Sequence, residues 1–193
     1  VLIDRHYPEL ETNYVGEDNE GGASQATGQL IKTGRKRIGF VTLKTGLDVL
    51  HQRLAGYQLS MEQNGLPIED FWIRELDYEY TESDMLDQIK SMLKNPASID
   101  GIIFTTHFLA ASGMRALKKS NVRVPVDVAL VSFGQMNAFD ITEPPITSVI
   151  QPVDELGDMA VEILLENLAG EITKNRRVIL NNRLEIRKSC GTL

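Results

Sequence analysis

The run Ile38-Gly39-Phe40-Val41 has no polar side chain at any position, and so lacks the alternation that a strand half open to water requires. Strands buried on both faces belong to parallel sheets covered by helices. Further extended runs are expected at Val1 to Ile3, Tyr14-Val15, Phe71 to Leu76, Gly101 to Thr105 and Val128 to Ser132. Between them apolar residues recur at helical spacing. The sets are Ala23, Ala26, Leu30 and Ile31; Leu50, Leu54, Tyr57 and Met61; Leu86, Ile89 and Leu93; and Leu109, Gly113 and Leu117. Asp18 or Asn19 can cap the first helix, and Gly34 supplies its left-handed stop. Gly65 and Pro67 end the second, which runs from about Leu47 to Asn64, and the third stops before Pro96. Strands alternating with helices of this length imply right-handed crossovers. The fold class is therefore α/β, with a doubly wound, mainly parallel sheet.

Several function classes are disfavoured by composition. A net charge of -7 argues against a nucleic-acid surface, because phosphate binding needs clustered cations. The densest basic run, Arg35-Lys36-Arg37, reads as a solvated loop between helix and strand. Cys190 is the single cysteine, so it has no internal disulfide partner; this fits a reducing compartment. No apolar run approaches the length of a membrane span, and no signal peptide opens the chain. Enzyme motifs are missing: there is no G-x-S-x-G, no P-loop and no G-x-G-x-x-G after a strand. His6, His51 and His107 are scattered without metal-like spacing, so no metal or cofactor is expected.

Ligands of open α/β sheets bind outside the carboxyl ends of the strands. Here those ends are Thr42-Leu43-Lys44, Leu76-Asp77-Tyr78, Thr105-Thr106-His107 and Ser132-Phe133-Gly134-Gln135. They define an expected cleft.

Three segments carry a family resemblance. Val128 to Glu162 places an apolar strand, a polar loop, the Pro144-Pro145 corner and Gln151-Pro152 before an amphipathic helix. Gln52-Arg53-Leu54-Ala55-Gly56-Tyr57 holds an R-x-x-G-aromatic motif, and Leu184-Glu185-Ile186-Arg187-Lys188-Ser189 closes on Arg-x-Ser. Together they resemble the effector-binding domain of lactose-repressor (LacI) family transcription regulators. The resemblance implies a periplasmic-binding-protein-like architecture, in which crossing strands join two lobes and one lobe is here incomplete. Residues 1–15 would be a remnant of the N-terminal lobe and 16–151 the C-terminal lobe. An N-terminal-lobe helix and strand would occupy 152–180, and the final strand and tail 181–193. The helix Asp154 to Leu168, with Leu156, Met159, Ile163 and Leu164 inward, would show an apolar face with no sheet beneath it.

The resemblance also names candidate effector-binding residues. Arg53 would point into the site, where its planar fork suits hydroxyls, carboxylates or phosphates; by position alone it reads as a solvated helix arginine. Thr106 and His107 stand where the family usually has Asn-Asp, and either bind ligand or cap the following helix. Gly134 replaces a common acid, removing a hydroxyl acceptor that Gln135 can partly restore. Asp4 is either a cleft-facing acid or a surface carboxylate. Gln151 either touches ligand or caps the turn before Pro152. Tyr78 and Tyr80 both fit an aromatic wall, and Trp72 is expected in the core of its strand. The implied function is a cytoplasmic, homodimeric ligand sensor. It would bind a small effector, a sugar or related metabolite, and control operator DNA through a headpiece outside this chain. A sugar-binding protein serving a transporter or receptor is the alternative on the same fold.

Overall fold

The computed structural model describes residues 1–7, 9–94, 98–170 and 174–192. Pro96, the expected stop of the third helix, lies outside them, as does Pro8. The chain begins with β1 (Leu2–Ile3), β2 (Tyr14–Glu17), α1 (Asn19–Lys32) and β3 (Ile38–Leu43). It continues through α2 (Asp48–Gln63), β4 (Ile73–Leu76), α3 (Glu82–Lys94), β5 (Gly101–Phe104) and α4 (His107–Lys119). The closing elements are β6 (Ala129–Phe133), β7 (Thr147–Ile150), α5 (Val153–Leu168), β8 (Arg177–Leu180) and β9 (Arg183–Glu185).

These strands form two sheets. The larger has six strands in the order β4-β3-β5-β6-β7-β9, all parallel except β9, which pairs antiparallel with β7. From β3 the chain steps outward to β4 on one side, then returns to add β5, β6 and β7 on the other. The β3–β5 boundary is therefore the topological switch point, where the carboxyl ends open a crevice.

Both faces of this sheet are covered. Phe40 stacks against Tyr57 of α2 with ring centroids 5.0 Å apart. The preceding Gly39 lies under Met92 of α3, as strand alternation requires. On α4, a Cβ at Gly113 would come within 2.0 Å of the Phe104 ring, so the absent side chain is what lets helix and sheet meet. One contiguous core results, including Phe40, Tyr57, Trp72, Phe104 and Phe133.

The smaller sheet is β1-β2-β8, parallel throughout, with β2 central. It lies beneath α5 and buries Leu156, Ala160 and Ile163 against Val15. On its other face the Tyr14 ring folds over Gly16, whose Cβ would meet the phenol oxygen at 2.1 Å.

Some details differ from the sequence reading. The α5 helix does have a sheet beneath it, and Leu164, expected inward, is exposed along with Leu165 and Leu168. Phe71 and Trp72 fall in a 3-10 turn (Asp70–Trp72), although Trp72 is in the core as expected. The last strand is shorter than Leu184 to Ser189, because Lys188–Cys190 turns into a 3-10 helix. There Ser189 bonds the backbone of Leu130 and Thr147, tying the chain end to β6 and β7.

Candidate functional site

At the switch point the side chain of Arg53 crosses the carboxyl ends of three strands. Its Nε–H donates to Asn19 Oδ1 at 2.7 Å, Nη1 to the Thr105 carbonyl at 2.6 Å, and Nη2 to Glu17 Oε1 at 3.0 Å. The guanidinium carbon lies 3.6 Å from the Phe133 ring centroid, adding a cation–π contact. Gln151, just after β7, donates from Nε2 to the same Glu17 oxygen at 2.7 Å. One ion pair thus gathers the end of β2, the start of α1, helix α2 and the exits of β5, β6 and β7.

The R-x-x-G-aromatic motif explains how Arg53 gets there. Gly56 lies one turn on, and a Cβ on it would stand 2.0 Å from the Glu20 carbonyl. Its hydrogen therefore lets α1 approach closely enough for Asn19 to meet Arg53. Tyr57 then anchors α2 to the sheet: its hydroxyl donates to the Ile38 carbonyl at 2.7 Å, and burial pushes the phenol pKa far up. Asp18 caps α1 by accepting from the Gly21 amide, which fixes the helix start next to the pair.

Glu17 and Arg53 are 2% and 6% exposed. Burial pushes the Glu17 carboxyl up, with Arg53 and the Gln151 amide opposing. Burial pulls Arg53 down, with Glu17 and then Asp4 opposing. A guanidinium remains protonated throughout the physiological range, so Arg53 stays a cation beside the Glu17 carboxyl. Glu17 Oε2 is buried and has no hydrogen-bond partner among the described residues.

The expected site residues divide as follows. Arg53, Gln151 and, by its electrostatic reach, Asp4 belong to one cluster. Asp4 closes β1 with φ 63°, in the left-handed region that tolerates aspartate, and its carbonyl accepts from Tyr14. Gly134 is also left-handed (φ 80°), and a Cβ there would press to 3.3 Å on both His107 Nδ1 and Gln151 Oε1. Glycine brings those two side chains over the loop where the family commonly has an acid. Desolvation holds His107 below the usual imidazole range. Thr106 Oγ1 caps α4, accepting from the Leu109 amide at 3.2 Å. Gln135 is exposed beside Gln151, Pro152 and Arg183, in a depression of about 420 Å³. Tyr78 is not brought in: it is 78% exposed and lines a separate depression beyond edge strand β4.

Glu17, Asn19 and the stacking role of Phe133 were not foreseen. In sequence, Glu17 reads as an acid flanking a helix start, and only the end of β2 facing Arg53 reveals it. Among the described residues no group of three or more His, Cys, Asp or Glu side chains could hold a metal ion. Among the described residues no helix is long and apolar enough to cross a membrane.

The periplasmic binding protein-like domain family matches residues 27–190. The transcriptional regulator CelR of Thermobifida fusca is 30% identical over 94% of this chain and 53% of its own length. The ribose operon repressor of Haemophilus influenzae is 25% identical over 100% of this chain and 58% of its own. A solved CelR–cellobiose complex superposes with a TM-score of 0.86 at 29% identity, covering 97% of this chain and 57% of that one. The chain thus spans little more than half the length of these curated relatives. With the doubly wound sheet and its switch-point cluster, these matches establish that the chain belongs to the periplasmic binding protein-like domain family, in the form carried by LacI-type transcriptional regulators.

Proposed function

We propose that this chain is the ligand-sensing part of a LacI-type regulator, and that a small saccharide or related metabolite binds over the Arg53 cluster. The observation that carries the reading is the convergence of Arg53, Glu17 and Gln151 at the switch point, where side chains from both sheets share one buried ion pair. His107, Thr106, Gly134 and Gln135 would form the wall on the C-terminal-lobe side (16–151), and Asp4 the wall on the N-terminal-lobe side (1–15 and 152–180). Tyr78 would contribute only if its loop moved. The cellobiose complex of CelR supports a saccharide as ligand class.

A ligand bridging the two lobes would favour one lobe arrangement over another. Control follows only if its affinity differs between the two. Operator DNA would be contacted by a headpiece outside these residues, in a cytoplasmic homodimer. No catalytic step is assigned to the chain. Regulator relatives favour this reading over a transporter's sugar-binding protein.

Calorimetric titration with cellobiose and ribose tests the site. Arg53→Ala is expected to weaken binding at least tenfold, since a charged hydrogen bond contributes about 1.5–3 kcal/mol. Unchanged affinity would remove Arg53 from the site.

A further inference from the structure

We infer that Glu17 acts as a charge filter, making this cleft take neutral or cationic hydroxyl-bearing ligands and reject carboxylates and phosphates. The inference rests on the cleft reading above and adds the ligand's charge class and the residue that sets it.

Arg53 is the one buried cation among the described residues, and three of its five N–H groups, one on each nitrogen, are already engaged. Asn19, Thr105 and Glu17 each hold one nitrogen, and Phe133 occupies one face of the plane. An anionic ligand that took the Nη2 contact of that fork would displace Glu17 from it. It would leave a carboxylate buried without its only cation, the costly way to break a buried pair. Asp4 adds a second negative charge felt by both partners. Lys44, at the end of β3, is exposed, so water and salt screen it.

The same geometry favours a donor. Glu17 Oε2 is a buried acceptor with no partner among the described residues, the complement of a ligand hydroxyl or ammonium. The half-buried Gln151, whose amide donates to Glu17 Oε1, also lines the depression that holds Gln135 and Arg183. If that amide swings aside, a ligand donor takes its place on Glu17 while the pair with Arg53 persists. The acceptor missing at Gly134 is supplied from β2.

The test is calorimetry on the chain with glucose, cellobiose and glucosamine against glucuronate and glucose 6-phosphate, repeated on Glu17→Gln and Arg53→Ala. In the unsubstituted chain the anions should bind at least about tenfold more weakly than the tightest neutral or amino sugar, the ratio set by 1.4 kcal/mol. Glu17→Gln should narrow that ratio about tenfold or reverse it, and Glu17→Asp should keep it. An anion binding as tightly as its neutral counterpart would overturn the inference, and this comparison needs no variant to fold. A ratio unmoved in folded Glu17→Gln would overturn it too. Sugars that bind equally well to Arg53→Ala would instead show the cleft itself to be misplaced, and the filter would fall with it.

Discussion

The two sheets follow one strand–helix grammar but are finished differently. The six-stranded sheet has helices on both faces and a single core built on Phe40, Tyr57, Trp72, Phe104 and Phe133. In the three-stranded sheet, one face meets α5 through Val15, Leu156, Ala160 and Ile163. A folded-over tyrosine covers the other, and Val161, Leu165 and Leu168 of α5 face solvent. Burying a large apolar side chain contributes about 1.5–3 kcal/mol, so rigidity should concentrate in the large sheet. The small sheet is joined to it where the chain passes between them, after β2, β7 and β8, and by the ion pair at the end of β2. A movable part hinged on a rigid one is what a ligand-driven change in arrangement needs.

This contrast predicts where substitutions hurt. Phe104→Ala should cost about 3–5 kcal/mol, because the ring fills the space over Gly113 and no neighbour can replace it. Urea unfolding measures it; a loss below about 0.5 kcal/mol, the size of an ordinary surface change, would deny the large sheet its rigid core. Gly56→Ala should cost about 1–3 kcal/mol, since the clash is with backbone and α1 must retreat. It should also weaken ligand binding by separating Asn19 from Arg53; a fully stable variant with intact binding would break that link.

Acid titration probes the junction. The folded Glu17 carboxyl sits above its ordinary range because of burial. The folded chain therefore keeps that proton at pH values where the unfolded chain has lost it. Stability relative to Glu17→Gln should fall as pH rises from about 4.3, the free glutamate value, through the folded value, and then level off. A stability difference that grows with pH over that window would mean that Arg53 overrides burial. At the bottom of the scale, Leu168→Ser on the open side of α5 (75% exposed) should change stability by no more than about 0.5 kcal/mol. A large loss would show that this face is covered in solution.

Periodicity made most of the fold legible. The apolar run at Ile38 and the helical stripes placed β3, α2, α3 and α4 to within a residue or two, because burial on two faces leaves a strong pattern. Trp72 misled because an aromatic before a strand reads as part of it, whereas Asp70–Trp72 turns before Ile73 starts pairing. Arg53 was found through its motif, not its spacing. Glu17 was invisible for the opposite reason: nothing local distinguishes a buried acid from a helix-flanking one. Its environment is made by Arg53 and Gln151, 36 and 134 positions away. Thr106 showed both of its options in sequence, and the capping bond is present.

The most direct test of the switch-point cleft is amide hydrogen exchange with and without a saturating saccharide found by calorimetry. Exchange should slow at residues 17–19, 105–107, 134–135 and 151, spanning both sheets, with little change around Tyr78. Protection confined to the Tyr78 loop, or to the far end of α4 near Val122 and Pro144, would place the ligand elsewhere and contradict it.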